Sequence, residues 1–117
     1  MNSRSPITTH VLDTSTGLPA AGMEFELSRR SGTAETWQSL LKGTTDSDGR
    51  AACLPAGAAL AAGVYRLHFG TGEYFERQNV ATFYPAVTIE FQIAAAGEHY
   101  HVPLLISPFG YSTYRGS

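Results

Sequence analysis

Alternation with a period of two residues, repeated in segment after segment, constrains this chain more than any other feature. Met23, Phe25 and Leu27 alternate with Glu24, Glu26 and Ser28. Tyr65, Leu67 and Phe69 alternate with Arg66 and His68, and Val87, Ile89, Phe91 and Ile93 with Thr88, Glu90 and Gln92. Successive side chains of an extended strand point to opposite faces, so each pattern describes a strand with one buried and one wetter face. Residues 7–12, 37–42, 100–106 and 111–115 read as further strands, and residues 50–54 as a short one. Turn-forming clusters separate them at residues 13–19, 30–33, 46–49, 70–72 and 107–110. Such punctuation predicts an all-β fold, a two-sheet antiparallel β-sandwich of about eight strands. Residues 73–79 break the pattern. They follow Thr71, a candidate N-cap, and predict one short helix. The Ala/Gly-rich residues 55–63 read as a loop.

A chain of 117 residues, with no internal repeat and no long linker, is expected to form a single domain over residues 1–117. Its net charge is −2 and it carries no basic stripe, which argues against nucleic-acid binding. The pair Arg29-Arg30 reads as a solvated strand end. No stretch approaches the ~20 apolar residues of a membrane span. The opening MNSRSP holds no apolar run of the secretory kind, and the ending is not Ser-Lys-Leu, so a cytoplasmic location is expected. Cys53 is the one cysteine, which excludes an intramolecular disulfide and suits a reducing compartment. Between Ala52 and Leu54 it reads as a small buried residue rather than a reactive thiol.

Chemistry-bearing residues crowd the C-terminal run. In residues 100–106 the side chains of Tyr100, Val102, Leu104 and Ile106 share the core face, so His99, His101, Pro103 and Leu105 point outward. Proline cannot donate to a ladder, which places Pro103 on an edge or at a bulge. Histidine exchanges protons near neutral pH; outward histidines are either solvated surface groups or working ones. His10 poses the same choice: with Ile7, Thr9 and Val11 inward, Thr8, His10 and Leu12 face out. Arg50, after Asp46-Ser47-Asp48-Gly49, is either a solvated turn-end arginine or a fork for a carbonyl or carboxylate. Ser112, Tyr114 and Gly116 share one face of the last segment, and Tyr111, Thr113 and Arg115 the other. Three imidazoles (His10, His99, His101) match the number in some zinc sites. Yet His99 and His101 are two apart on a strand with no carboxylate or thiolate beside them, so no metal is expected.

The run HYHVPLLISPFGYSTYRGS resembles the C-terminal signature of the transthyretin-related 5-hydroxyisourate hydrolases. Ile7-Thr8-Thr9-His10-Val11-Leu12-Asp13-Thr14, with Gly17-Leu18-Pro19-Ala20, resembles that family's N-terminal signature, and Asp48-Gly49-Arg50 its middle one. The ending Tyr-Arg-Gly-Ser is the specific part, since transthyretin itself lacks it. The resemblance implies a transthyretin-like sandwich with the helix between the fifth and sixth strands. It implies a cofactor-free and metal-free enzyme that opens 5-hydroxyisourate to 2-oxo-4-hydroxy-4-carboxy-5-ureidoimidazoline in urate degradation. It makes His10, Arg50, His101 and Ser117 catalytic. Tyr114 and Arg115 join them as substrate contacts, with Tyr114 the bulky residue where transthyretin has a small one. His99 stays outside that set. On this expectation the histidines activate water, Arg50 orients the ring, Tyr114 narrows the site, and Arg115 and Ser117 close it. The resemblance also implies a homotetramer, a dimer of dimers, with sites in the channel between dimers. The alternative is a transthyretin-like small-molecule carrier without catalysis; His101, Pro103 and Tyr114 would crowd its channel. A bare interaction module would leave residues 114–117 dispensable.

Overall fold

The computed structural model describes residues 5–32, 35–94 and 97–117. The opening residues 1–4 and the end of the turn at residues 30–33 lie outside them. In chain order the elements are β1 (Ile7–Asp13), β2 (Leu18–Pro19), β3 (Glu24–Arg30), β4 (Trp37–Thr44), β5 (Arg50–Ala52) and β6 (Gly63–Phe69). α1 (Thr71–Glu76), β7 (Val87–Ile93), β8 (Tyr100–Ser107) and β9 (Gly110–Thr113) follow. One sheet runs β2-β1-β8-β9 with β5 also paired to β1; the other runs β4-β3-β6-β7. The expected sandwich is present, with two refinements. The predicted turn at residues 13–19 contains the two-residue β2, and the β1–β8 pair is parallel. Setting β2 aside, the helix follows the fifth strand, as the resemblance implied.

The alternating patterns became the core. Ile7, Thr9 and Val11 of β1 are buried, as are Phe25 and Leu27 of β3, Tyr65, Leu67 and Phe69 of β6, and Tyr100, Val102, Leu104 and Ile106 of β8. Tyr74 and Phe75 of α1 join them, and the Tyr74 hydroxyl donates to buried Asp13 at 3.0 Å. Cys53 lies in this core, where burial pushes its thiol up to about 12. That removes the thiolate a nucleophile would need. Arg29 is not the solvated strand end expected: it lies over the Tyr65 ring and donates to the Ala62 carbonyl at 3.0 Å.

α1 begins two residues earlier than predicted. Gly70, not Thr71, is its N-cap, and Thr71 is buried inside the first turn. The Gly72 N–H donates to the Pro85 carbonyl at 3.0 Å, and a Cβ on Gly72 would meet that oxygen at 2.4 Å. This tight approach, not the side-chain cap, sets the start. Asn79, at φ 58°, leaves helical space and ends the segment.

Pro103 sits in an interior strand, not at a sheet edge. The Gly116 N–H donates to the His101 carbonyl, so the backbone polar groups of His101, and of Pro103 two residues on, face β9. β9 ends at Thr113, just where Pro103 has no N–H to offer. The Thr113 hydroxyl donates to the Pro103 carbonyl instead, at 2.7 Å. The chain then runs unpaired through Tyr114 and Arg115 and rejoins β8 at Gly116.

Candidate active site

The outer face of the five-stranded sheet collects the predicted polar residues because register aligns them. Thr8 is opposite His101 and His10 opposite Pro103 across the parallel β1–β8 pair. On the other side of β1, His10 is opposite Arg50 and Thr8 opposite Ala52. Directly paired residues share a face. An open pocket of about 410 Å³ results, lined by Thr8, Asp46, Arg50, Ala51, Ala52, His99, His101 and Ser117, with Thr9 beneath. That volume suits a small ligand. His10 is half-buried on the same face, close enough to act electrostatically on both His101 and Asp46.

Arg50 is delivered by a tight turn. Asp46 Oδ1 accepts from the N–H groups of Asp48 at 2.8 Å and Arg50 at 2.9 Å. Its carboxyl is lowered from the usual range, chiefly by that Arg50 backbone hydrogen bond. Gly49 has φ +75°, and a Cβ there would meet the Val11 carbonyl at 2.4 Å. The Gly49 carbonyl accepts from the Val11 N–H at 2.8 Å. The turn is thereby pinned to β1, and the next residue, Arg50, falls beside His10.

The histidines are linked through one hydroxyl. Thr8 Oγ1 lies 2.8 Å from His101 Nδ1 and 3.3 Å from His99 Nε2. His99 Nδ1 donates to the Ser5 carbonyl at 2.9 Å. Burial, then the nearby Arg50, His99 and His10, hold His101 below its ordinary value, and only a backbone hydrogen bond with Thr8 acts the other way. A neutral imidazole near neutral pH can accept a proton from water. Among the described residues no three His, Cys, Asp or Glu side chains form a group that could hold a metal ion.

The C-terminal segment divides. Gly116 lies so close over the His101 ring that a Cβ would come within 2.6 Å of it, which brings Ser117 to the pocket. Tyr114 and Arg115 do not reach this pocket within one chain. Arg115 stacks over Tyr100 at 4.5 Å and pairs with Glu98 at 3.2 Å. Tyr114 is 60% exposed. Conversely His99, which sequence reasoning set aside, lines the pocket, and Thr8 was noted only as outward-facing. Both stand in the N- and C-terminal motifs, but only the register makes them partners.

A two-sheet sandwich with histidines and an arginine over a small pocket on one outer face defines a transthyretin-like protein with a polar site. The HIUase/Transthyretin family model matches residues 7–116, and the chain belongs to that family. The chain is 52% identical over 116 residues to the 5-hydroxyisourate hydrolase of Mesorhizobium japonicum, covering 95% of this chain and 91% of the relative. The structure of Klebsiella pneumoniae 5-hydroxyisourate hydrolase superposes with TM-score 0.82 at 41% identity, over 97% of this chain and all of that one. Sea bream transthyretin in complex with thyroxine superposes with TM-score 0.87 at 30% identity, over 95% and 94% of the two chains.

Proposed function

We propose that this chain is a 5-hydroxyisourate hydrolase, opening that ring amide to 2-oxo-4-hydroxy-4-carboxy-5-ureidoimidazoline in urate degradation. The observation that carries the reading is His101, held neutral on the pocket wall with Arg50 facing it. His10 and His101 orient and deprotonate the attacking water, and one of them returns a proton to the leaving nitrogen. The Arg50 fork binds the flat, carbonyl-rich substrate and stabilises the oxyanion as the carbonyl becomes tetrahedral. The Ser117 hydroxyl adds a polar contact at the pocket rim. The relatives named as 5-hydroxyisourate hydrolases support the substrate assignment. A carrier reading has the sea bream transthyretin likeness behind it. The charged, histidine-lined pocket fits a small polar ligand better than a hydrophobic hormone.

The same reading takes residues 1–117 as one domain that works as a homotetramer. Among the described residues, strands β7 and β9 end their sheets at one flank, leaving two unpaired edges side by side. Exposed Tyr114 and half-buried Leu105 on the outer face offer apolar surface to another copy. In such an assembly Tyr114 narrows the site from across an interface. A reducing compartment, the cytoplasm, suits a chain whose single thiol is buried. The test is decay of 5-hydroxyisourate, generated from urate and urate oxidase and followed by ultraviolet absorbance. Wild type should accelerate it. His101→Ala should lose about 10²–10⁴-fold in kcat/KM, and a chain ending at Thr113 should fall near background. No acceleration by folded wild type would end the hydrolase reading.

A further inference from the structure

The geometry points to Thr8 and His99 as a positioning pair that holds His101 in a single tautomer, with hydrogen on Nδ1 and the lone pair on Nε2. A backbone carbonyl only accepts, so the 2.9 Å contact between His99 Nδ1 and the Ser5 carbonyl puts a hydrogen on Nδ1. The other nitrogen of a neutral imidazole is then an acceptor. His99 Nε2 therefore takes the Thr8 hydroxyl hydrogen across 3.3 Å. A hydroxyl has one hydrogen to give. Thr8 Oγ1 must accept at its shorter contact, 2.8 Å from His101 Nδ1. His101 Nδ1 thus carries a hydrogen, and Nε2 is left as the basic atom.

The anchor of this chain is rigid. Ser5 is buried, its hydroxyl donates to the Ile7 carbonyl at 2.8 Å, and it accepts from the Leu54 N–H at 3.4 Å. Thr8 is held by β5 on one side and β8 on the other. Two imidazoles and a hydroxyl are thereby oriented by a fixed carbonyl at the entrance to β1. An imidazole without such support divides between tautomers and favours hydrogen on Nε2, which would remove the lone pair from the side of the ring away from Thr8. Neither Thr8 nor His99 needs to touch the substrate for this purpose; each acts through His101.

The kinetic consequence rests on the hydrolase reading, whereas the tautomer itself does not. The experiment therefore has two readouts on the same proteins: ¹⁵N–¹H NMR of the imidazole rings, and kcat for 5-hydroxyisourate. The variants are Thr8→Val, which keeps the shape and the strand preference and loses only the hydroxyl, Thr8→Ser, His99→Ala, and the double variant Thr8→Val with His99→Ala. Wild type should show His101 with hydrogen on Nδ1. Thr8→Val and His99→Ala should each move it toward Nε2–H and lower kcat about 10- to 100-fold. Thr8→Ser should restore the wild-type tautomer and rate. The double variant should be no worse than the poorer single one, because both act on one element. A Thr8→Val protein that keeps Nδ1–H on His101, or losses that multiply in the double variant, would overturn the assignment. Tautomer shifts as expected in proteins that never accelerate hydrolysis would uphold the positioning pair and remove the substrate.

Discussion

A half-buried imidazole faced by Arg50, His99 and His10 gains little from taking up another positive charge. Burial is the larger cause and the Arg50 guanidinium adds to it, so His101 is held below the histidine norm of about 6.5. The acid limb of kcat/KM should accordingly fall below pH ~6.5. NMR titration of the His101 ring should show its midpoint rising in Arg50→Met, part of the way only, because burial remains. A midpoint that does not move would remove Arg50 from the electrostatics of the site. The stability consequence has a definite sign. The unfolded histidine binds its proton at a higher pH than the folded one, so stability declines as pH drops from ~6.5 toward the folded midpoint. At this scale His10, Arg50 and His101 were legible because they stand in the motifs of the chain. The direction of Arg115 was not, since its partner Glu98 and the Tyr100 ring become available only once β8 has its place.

Among the elements, the turn before β5 carries the sharpest demand. Gly49 combines a left-handed φ with an approach to the Val11 carbonyl that leaves no room for a side chain. Gly49→Ala should cost about 1–3 kcal/mol in chemical denaturation and reduce activity further by shifting Arg50 away from His10. An unchanged denaturation midpoint would show that the turn tolerates another geometry. The strands themselves were readable because alternation is a local property of an extended chain, and the inward sets of β1 and β8 were buried as read. The start of α1 was not readable. Thr71 looked like a cap, but the close packing of Gly72 on Pro85 drew the helix back to Gly70.

For the whole molecule, the open edges of β7 and β9 and the exposed side chains near the pocket bear on assembly. Light scattering after size exclusion should give about four times the 12.6 kDa chain mass. Leu105→Glu puts a charge on the outer face and should yield smaller species, with activity falling in step with tetramer content. A monomer with full activity would place the complete site in one chain and leave Tyr114 without a role.

The amino-acid sequence by itself determined which segments extend and which side of each faces the core. Those properties follow from side-chain polarity at a spacing of two and from residue types over short stretches. Only the tertiary structure decided that β1 and β8 pair in parallel, joining Thr8 to His101 across 93 positions of chain. It alone decided that His99 lines the pocket, that Pro103 interrupts β9 from within the sheet, and that Arg115 stacks on Tyr100. Each depends on register between strands distant in sequence. No local pattern encodes that register, because a shift of one residue would satisfy every local propensity while turning each side chain to the opposite face.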